Sequence, residues 1–500
     1  MNKYIKTPDY ISFKSIVKKN YTLSSAQYMD LVMPNKNFLY VKDFLTRKLA
    51  RKDLGSEVGS LSYIGYSTHY FVRTKALQSH SFLPDINLET ALPVMPDEFR
   101  QMNLKENDII ISKDSNIGEA VILDKDYPNY MLSGALYRLP VKDQDKYYLL
   151  AFIKHDIFRE QLDFIVPKGA TIRHAKSLFL DCKIPLPNNN KSKVVQFISI
   201  LTKSIIEKEK NIRKRHNTIL QVIETELLDN QKKKDFIYKL PTIKDLEDAG
   251  RIDSSLFSRK YKEKIYLITN YRHGFKPLTE QNLILKPGPS LEVRLLGTRV
   301  DSNIFIKGFY RLITPKQITN YGTVKQEQYI GTPLSIATIE YGDILFGESG
   351  TGRSMVYLDN DTNTINNAHA HILRPMAGKC TLERTITIRC IMQYFKEIGI
   401  IDCLTVGGAG GHLSPSYFDR VYIPNFPNYK EKEISRLYHN PEAIYMTDAF
   451  TLENFQLKDN DFNLRAGIYE LDKAMKHLKK ILDQAIDNVI NDKDVDIRFD

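Results

Sequence analysis

Between Lys191 and Asn230 the chain carries neither Gly nor Pro, and its apolar residues fall into a seven-residue rhythm. Ile198, Ile205, Ile212 and Ile219 recur at one rank; Leu201 and Val222 stand three places after an Ile, with Lys208 and Arg215 at that rank in between. Heptads of this kind predict a long helix with a seam for a partner and polar interruptions in it. Such a helix spans ~60 Å. A second stripe lies near the end of the chain. Leu464, Leu471, Leu478 and Ala485 make one rank, and Ile468, Met475, Leu482 and Val489 the other, at alternating spacings of four and three. Each stripe needs a cover, and the simplest is the other stripe, paired antiparallel within the same chain.

Elsewhere the apolar runs are short and bounded by turn residues, which predicts strands. Many of them occur twice. Thr22-Leu-Ser-Ser25 aligns with Arg251-Ile-Asp-Ser-Ser255. Asn107-Asp-Ile-Ile-Ile-Ser-Lys-Asp-Ser-Asn-Ile-Gly118 aligns with Gly342-Asp-Ile-Leu-Phe-Gly-Glu-Ser-Gly-Thr-Gly352, each followed by a further strand (Ala120–Leu123, Met355–Leu358). Lys168-Gly-Ala-Thr-Ile-Arg-His174 matches Gly407-Gly-Ala-Gly-Gly-His-Leu413, and Ile184-Pro-Leu-Pro-Asn188 matches Ile423-Pro-Asn-Phe-Pro-Asn428. Four pairs in the same order, separated by about 235 residues, mark an internal duplication. Short helical patterns sit at matching places, Lys146–Asp163 and Arg389–Ile400. The expected organisation is a mixed α/β protein with two similar domains, 1–190 and 236–428. A central long helix (191–235), a connecting segment (429–460) and a C-terminal long helix (461–492) complete it. The two long helices are expected to form an antiparallel coiled-coil spacer.

The 500 residues exceed one ordinary core. Lys and Arg (71) outnumber Asp and Glu (60), a surplus of +11 that suits a polyanionic partner. Cys182, Cys380, Cys390 and Cys403 form no C-x-x-C pair and no zinc-finger spacing, as expected of small core residues in a reducing compartment. No apolar run approaches the ~18–20 residues that span a bilayer, and MNKYIKTPDYISFK lacks the apolar stretch of a signal peptide. A cytoplasmic protein with no membrane contact is expected.

The order of domain, long helix, domain, long helix resembles the specificity subunit of type I restriction–modification enzymes. The motifs that carry the likeness are GDILFGESGTG with its counterpart NDIIISKDSNIG, the turn KGATIRH, the exit CKIPLPN and the helix that follows. The resemblance implies two target-recognition domains, each reading one half of a bipartite site on double-stranded DNA. It implies paired helices that act as spacer and as docking surface for methyltransferase subunits. S-adenosylmethionine would be held by those partners, and ATP and Mg by a further motor–nuclease subunit, with no cofactor on this chain. The sequence departs from the pattern in three places, the first being that only about twenty residues precede the first matching segment of the N-terminal repeat. Tyr429–Asp461 intervenes before the second long helix, including an amphipathic stretch (Ile434, Leu437, Tyr438) stopped by Pro441, and the second repeat replaces Lys-Gly-Ala with a run of glycines. A DNA-binding component of another phage-defence or DNA-modification system would reuse the same scaffold, and stands as the alternative.

An enzyme is the opposing class. There is no G-x-x-x-x-G-K-[ST] loop, since Gly378-Lys379 is followed by Cys380, and no Asn- or Asp-Pro-Pro-Tyr/Phe segment. Phe346–Gly352 reads as a tight loop, because its counterpart keeps one glycine. Glu207-Lys-Glu-Lys210 reads as a solvent-facing charged face of the heptad helix. His369 and His371 alternate along a strand with His412 elsewhere, but no carboxylate or Cys stands at a metal-ligand spacing. No catalytic or metal-binding residue is expected.

Gripping DNA needs Lys, Arg, Ser, Asn and backbone N–H groups at phosphates; reading it needs Arg, Lys, Asn, Gln, Ser or Thr on protruding loops at base edges. In the first repeat Lys113, Ser115 and Asn116 sit on the strand-to-strand loop, and Lys168, Thr171, Arg173 and His174 on the loop before the exit. Arg73, Thr74 and Lys75 follow the apolar Tyr70–Val72. In the second repeat Ser349, Thr351 and Arg353 match the first loop, and His412 and Ser414 the second.

Overall fold

The computed structural model describes all residues except 1–2, 24, 167–174, 234, 349–351 and 407–410. The chain divides into two compact units. One comprises Met1–Lys210, Tyr445–Leu464 and Lys473–Asp500; the other comprises Asn211–Ile444 and Arg465–Asp472.

In the first unit β1 (Ile5–Lys6), α1 (Phe13–Lys18) and β2 (Asp30–Leu31) precede β3 (Phe38–Tyr40), β4 (Tyr70–Val72), β5 (Ala91–Pro93) and β6 (Ile109–Ser112). There follow β7 (Ala120–Ile122), β8 (Tyr130–Leu132), β9 (Leu136–Leu139), α2 (Lys146–Lys154), α3 (Asp156–Ile165) and β10 (Lys183–Pro185). β6 is central between β7 and β9, antiparallel to both, with Ile110 opposite Val121 and Arg138. β4 pairs antiparallel with β5 and parallel with β8. All four residues of β6 are buried, so the strand reads as a continuous apolar run rather than an alternation. Ile110 and Val121 join Val72, Leu77, Leu132 and Leu136 in one core cluster. The exit strand β10 returns to pair with β3.

The second unit repeats this plan. Its elements are α5 (Ile243–Ala249), α6 (Ser254–Phe257), α7 (Arg259–Thr269), β11 (Phe275–Pro277), β12 (Leu283–Pro287), α8 (Val293–Leu296), β13 (Val300–Ser302), β14 (Tyr310–Leu312) and β15 (Tyr329–Gly331). After them come β16 (Ile344–Gly347), β17 (Ser354–Val356), β18 (Thr364–Ile365), β19 (Ala370–Pro375), α9 (Leu382–Glu397), α10 (Ile400–Leu404) and β20 (Tyr422–Pro424). β16 lies between β17 and β19, antiparallel to both; β14 pairs antiparallel with β15 and parallel with β18; β11 pairs with β20. These are the pairings of β3 to β10 in the first unit, so the duplication extends to topology; the β1–β2 pair has no counterpart. Two edge strands are added: β12 beside β19 and β13 beside β15.

The long helix α4 is Lys191–Asp229, and Ile198, Leu201, Ile205, Ile212 and Ile219 are all buried along it. After β20 the chain enters α11 (Asn428–Tyr438), then α12 (Phe455–Arg465) and α13 (Ile468–Ile490). Within the first unit α13 runs antiparallel to α4: Asn188 and Asn189 bond Asp492 and Asp494, whereas Glu209 pairs with Lys479 at 3.3 Å. Within the second unit Glu226 of α4 faces Lys430 of α11 at 3.9 Å, and Arg215 donates to the Ala466 carbonyl at 3.2 Å.

Three expectations about the helices need correction. A helix does follow the Pro-rich exit directly, but it stops at Tyr438 and resumes at Ile468. The ends meet, because a Cβ on Gly467 would lie 2.8 Å from the backbone of Tyr438 and His439. Glu470 binds both sides of the junction, accepting from Asn440 N at 2.9 Å and Gly467 N at 3.1 Å. Leu464 is therefore not on the long helix, and is 77% exposed. The Glu207–Lys210 run is not a solvated face either, since Lys208 and Glu209 are buried. In the first unit Lys208 pairs with Asp459 of α12, both at most 1% exposed. Asp459 also accepts from Ser204 (2.6 Å), Tyr445 (2.7 Å) and Asn463 (3.1 Å).

Candidate nucleic-acid interface

In the first unit two of the stretches singled out by sequence meet. The β6–β7 loop is closed by Gly118, whose φ of +82° and position 2.2 Å (as a virtual Cβ) from Leu162 Cδ1 leave no room for a side chain. Ser115, also at positive φ, is exposed at its tip. Asn116 donates its Nδ2 hydrogens to the Thr74 carbonyl (3.0 Å) and the Leu77 carbonyl (2.9 Å), tying this loop to the stretch after β4. Ala175 N donates to the Lys113 carbonyl at 2.8 Å, which brings Ala175 to the same place. Lys168, Thr171, Arg173 and His174 themselves lie outside the described residues.

The second unit makes the same junction. Leu413 N donates to the Glu348 carbonyl at 3.0 Å, the counterpart of Ala175 on Lys113. Gly347 closes on the Arg353 carbonyl at 2.8 Å, and its virtual Cβ would meet Pro315, in the turn after β14, at 2.9 Å. Val406 and His412 form a bridge across the glycine run. Ser349 and Thr351 lie outside the described residues.

Not every candidate is poised outward. Arg73, Lys75, Ser115 and His412 are exposed, with Lys75 in a surface pair with Glu89 at 2.6 Å; Thr74 is half-buried. Lys113 is half-buried and paired with Asp114, Arg353 is half-buried, and Ser414 caps the turn after it through Ser416 N at 3.4 Å. Asn116 holds two loops together, so its amide hydrogens are taken by the fold. His369 is exposed ahead of β19 while His371 is buried with both ring nitrogens lacking hydrogen bonds. Among the described residues no group of three His, Cys, Asp or Glu could hold a metal, and no helix is long and apolar enough to cross a membrane.

Two sets of residues escaped the sequence reading. The first is the basic turn Arg47-Lys48-Leu-Ala-Arg51-Lys52, whose four cations are exposed. Arg47 grips Asp53 through both terminal nitrogens (2.6 and 2.7 Å), and Arg51 donates to the Gly55 carbonyl at 2.9 Å. Burial would raise the Asp53 carboxyl, but the hydrogen bonds from Arg47 and Ala50 N outweigh it and hold it below the usual carboxylate range. Charge density alone would have found this turn. The second set is buried. Lys154 is pushed down to about 8 by burial, with Glu119 opposing, and Arg389 is 1% exposed. The two stand 235 residues apart, the period of the duplication, so aligning the repeats would have paired them.

The duplicated topology and the twice-made loop junction define a chain of two similar α/β repeats with long helices. Residues 70–215 match the family model described as the type I restriction modification DNA specificity domain. That span runs from β4 into α4 and includes the first unit's loop junction, so the likeness read from the motifs is borne out there. No curated protein matches. Among solved structures the chain is similar to the type I restriction–modification system S subunit from M. genitalium, at 12% identity over 91% of this chain and 95% of that one, with a TM-score of 0.39. It is also similar to the HsdS subunit from Thermoanaerobacter tengcongensis, at 11% identity over 91% and 96%, with a TM-score of 0.26.

Proposed function

We propose that this protein recognises DNA as the specificity subunit of a type I restriction–modification complex, each repeat reading one half of a bipartite site. The observation that carries this reading is the loop junction made alike in both units, the first within a span that matches a DNA specificity domain. The long helices serve as spacer and dock methyltransferase subunits. The chain itself is non-catalytic and works in the cytoplasm. S-adenosylmethionine belongs to the methyltransferase partners, ATP and Mg to a motor–nuclease subunit. The exposed Arg73, Lys75, Ser115 and His412 lie at the loops from which base edges or phosphates would be reached. The test is methylome sequencing of a host that carries the chain with its methyltransferase partner. A motif of two unlike halves separated by unread bases is expected, with half-sites about one helical turn, ~34 Å, apart or a multiple of it. A single continuous motif, or methyl transfer by the purified chain alone, would overturn the reading.

A further inference from the structure

Both units hold the stretch that follows one strand, β4 or β14, by side chains from other elements. After β4 the chain runs from Arg73 to Leu83, and after β14 from Ile313 to Thr323, each with one short turn of 3₁₀ helix. Neither stretch is a strand. Its backbone polar groups must still be satisfied, and side chains of distant elements do so.

In the first unit Lys154, at the end of α2, donates to the Gln78 carbonyl at 2.8 Å. Lys479 of α13 donates to the His80 carbonyl at 3.0 Å. Glu209 of α4 accepts from Phe82 N (2.9 Å), Leu83 N (3.2 Å) and the Ser81 hydroxyl (2.9 Å), and pairs with Lys479. The Phe82 ring lies within 6 Å of both ammonium groups.

In the second unit Arg389 of α9 donates Nη2 to the Asn320 carbonyl at 2.9 Å. Tyr438 of α11 donates its hydroxyl to the Gly322 carbonyl at 3.0 Å, and its ring lies 5.2 Å from the Arg389 guanidinium. His216 of α4 meets the Tyr321 ring edge-on at 5.1 Å. Gly322 sits at a φ of +79°, and a Cβ there would come within 2.8 Å of Tyr438 and Arg389. The correspondence extends to the second partner of each cation. Lys154 reaches Glu119 Oε2 at 3.5 Å, and Arg389 Nε donates to the Ser354 carbonyl at 3.0 Å; Glu119 and Ser354 are again 235 residues apart. The duplication has kept a buried cation at one position and for one task, while the groups around it have changed.

Buried charge is a poor way to gain stability, and a packed apolar side chain would do as well. What a satisfied polar network supplies is one defined geometry. We propose that Glu209 and Lys479 in the first unit, and Tyr438 and His216 in the second, are positioning residues, with Lys154 and Arg389 bracing the gripped stretch from inside its own repeat. Each set fixes the angle at which a recognition domain is held on the spacer helices, and so restricts the half-site spacing the protein accepts, without touching a base. The proposal rests on the DNA-reading function above.

The test selects from a library of 40-base-pair duplexes of random sequence with the full-length protein and its methyltransferase partner. Wild type is expected to enrich two half-sites at one gap. Glu209→Gln and Lys479→Met should enrich the same bases with gaps spread by a base pair or more, and bind the original gap about tenfold more weakly, as for loss of one charged hydrogen bond. Lys479→Arg should keep the single gap. An unchanged gap in folded variants, or altered base preference at an unchanged gap, overturns the proposal. Amide exchange decides the matter if a DNA variant misfolds or wild type selects no bipartite motif, the latter being the failure of the DNA reading itself. In Glu209→Gln residues 77–83 should lose protection while β6 keeps it, and in Tyr438→Phe residues 319–323 should do so while β16 keeps it. Unchanged protection overturns the clamp.

Discussion

Two histidines show the pH behaviour that burial imposes on single residues. His216 is pushed down to about 3 by burial, aided by Arg389. His155 is pushed down to about 4 by burial, which wins over the neighbouring Asp487; its Nδ1 accepts from Ile157 N at 3.3 Å, a bond that needs the unprotonated nitrogen. Both titrate near 6.5 in the unfolded chain. Between these values the unfolded state binds more protons, so stability falls as pH drops from about 6.5 toward the folded values. For His216 the loss from pH 7 to pH 5 amounts to ~2 kcal/mol at 1.36 kcal/mol per pH unit. Denaturant melts of wild type and His216→Phe at both pH values should differ by that much; equal pH dependence would show that His216 titrates normally. Lys208 makes a different point. Removing it or Asp459 alone leaves a buried charge unpaired and should cost ~3–5 kcal/mol, whereas Lys208→Met with Asp459→Leu should cost less than the sum of the two, the remainder coming from Ser204, Tyr445 and Asn463, which lose their acceptor. Additive losses in the double variant would sink this account. The pair was invisible in the sequence because its members are 251 positions apart; a lysine in a seam then looks like a solvated interruption.

At the scale of elements, what the sequence made legible depended on whether one periodic signal decided the outcome. The Ile ranks of α4 mark its course because a single buried seam runs the length of the helix. The second long helix was misread in its boundaries, since α12 and α13 share a heptad register across a break at Ala466-Gly467. Ranks continue through such a break, and only the requirement of Gly467 betrays it: its amide donates to Glu470 while the chain end at Tyr438 crowds its Cα. Gly467→Ala should therefore destabilise the α11–α13 junction by ~1–3 kcal/mol, the usual penalty for forcing extra volume into a packed site. Thermal unfolding gives the size, and exchange at Asn440 and Gly467 gives the place. A variant that melts like wild type would mean that the two helix ends do not meet. The strands were read well for the opposite reason: β6 and β16 each open on three large apolar residues between turns, and each is buried along its whole length.

At the scale of the whole molecule the duplication was the most legible feature, and the asymmetry between its copies the least. Matching strands show in the sequence because both copies must bury the same positions. The differences lie in polar residues, for which periodicity gives no signal. The basic turn of 47–52 belongs to the first repeat alone; about 235 residues on, the chain is forming β12, with Lys286 the cation there. Arg47 and Arg51 are committed to holding that turn, through Asp53 and the Gly55 carbonyl, which leaves the exposed Lys48 and Lys52 as the groups that would meet phosphates. Phosphate contacts release counterions, and each one adds about 0.9 to the slope of log affinity against log salt. Replacing Lys48 and Lys52 by Ala should thus weaken binding to every duplex alike and flatten that slope by about 2, with the preferred bases of both half-sites unchanged. Titrations on a specific and a random duplex between 50 and 200 mM salt, a range over which such slopes are resolved, measure both quantities. A shift in base preference without a change of slope would move these lysines from phosphate to base contact; an unchanged slope with unchanged preference would place the turn away from the DNA.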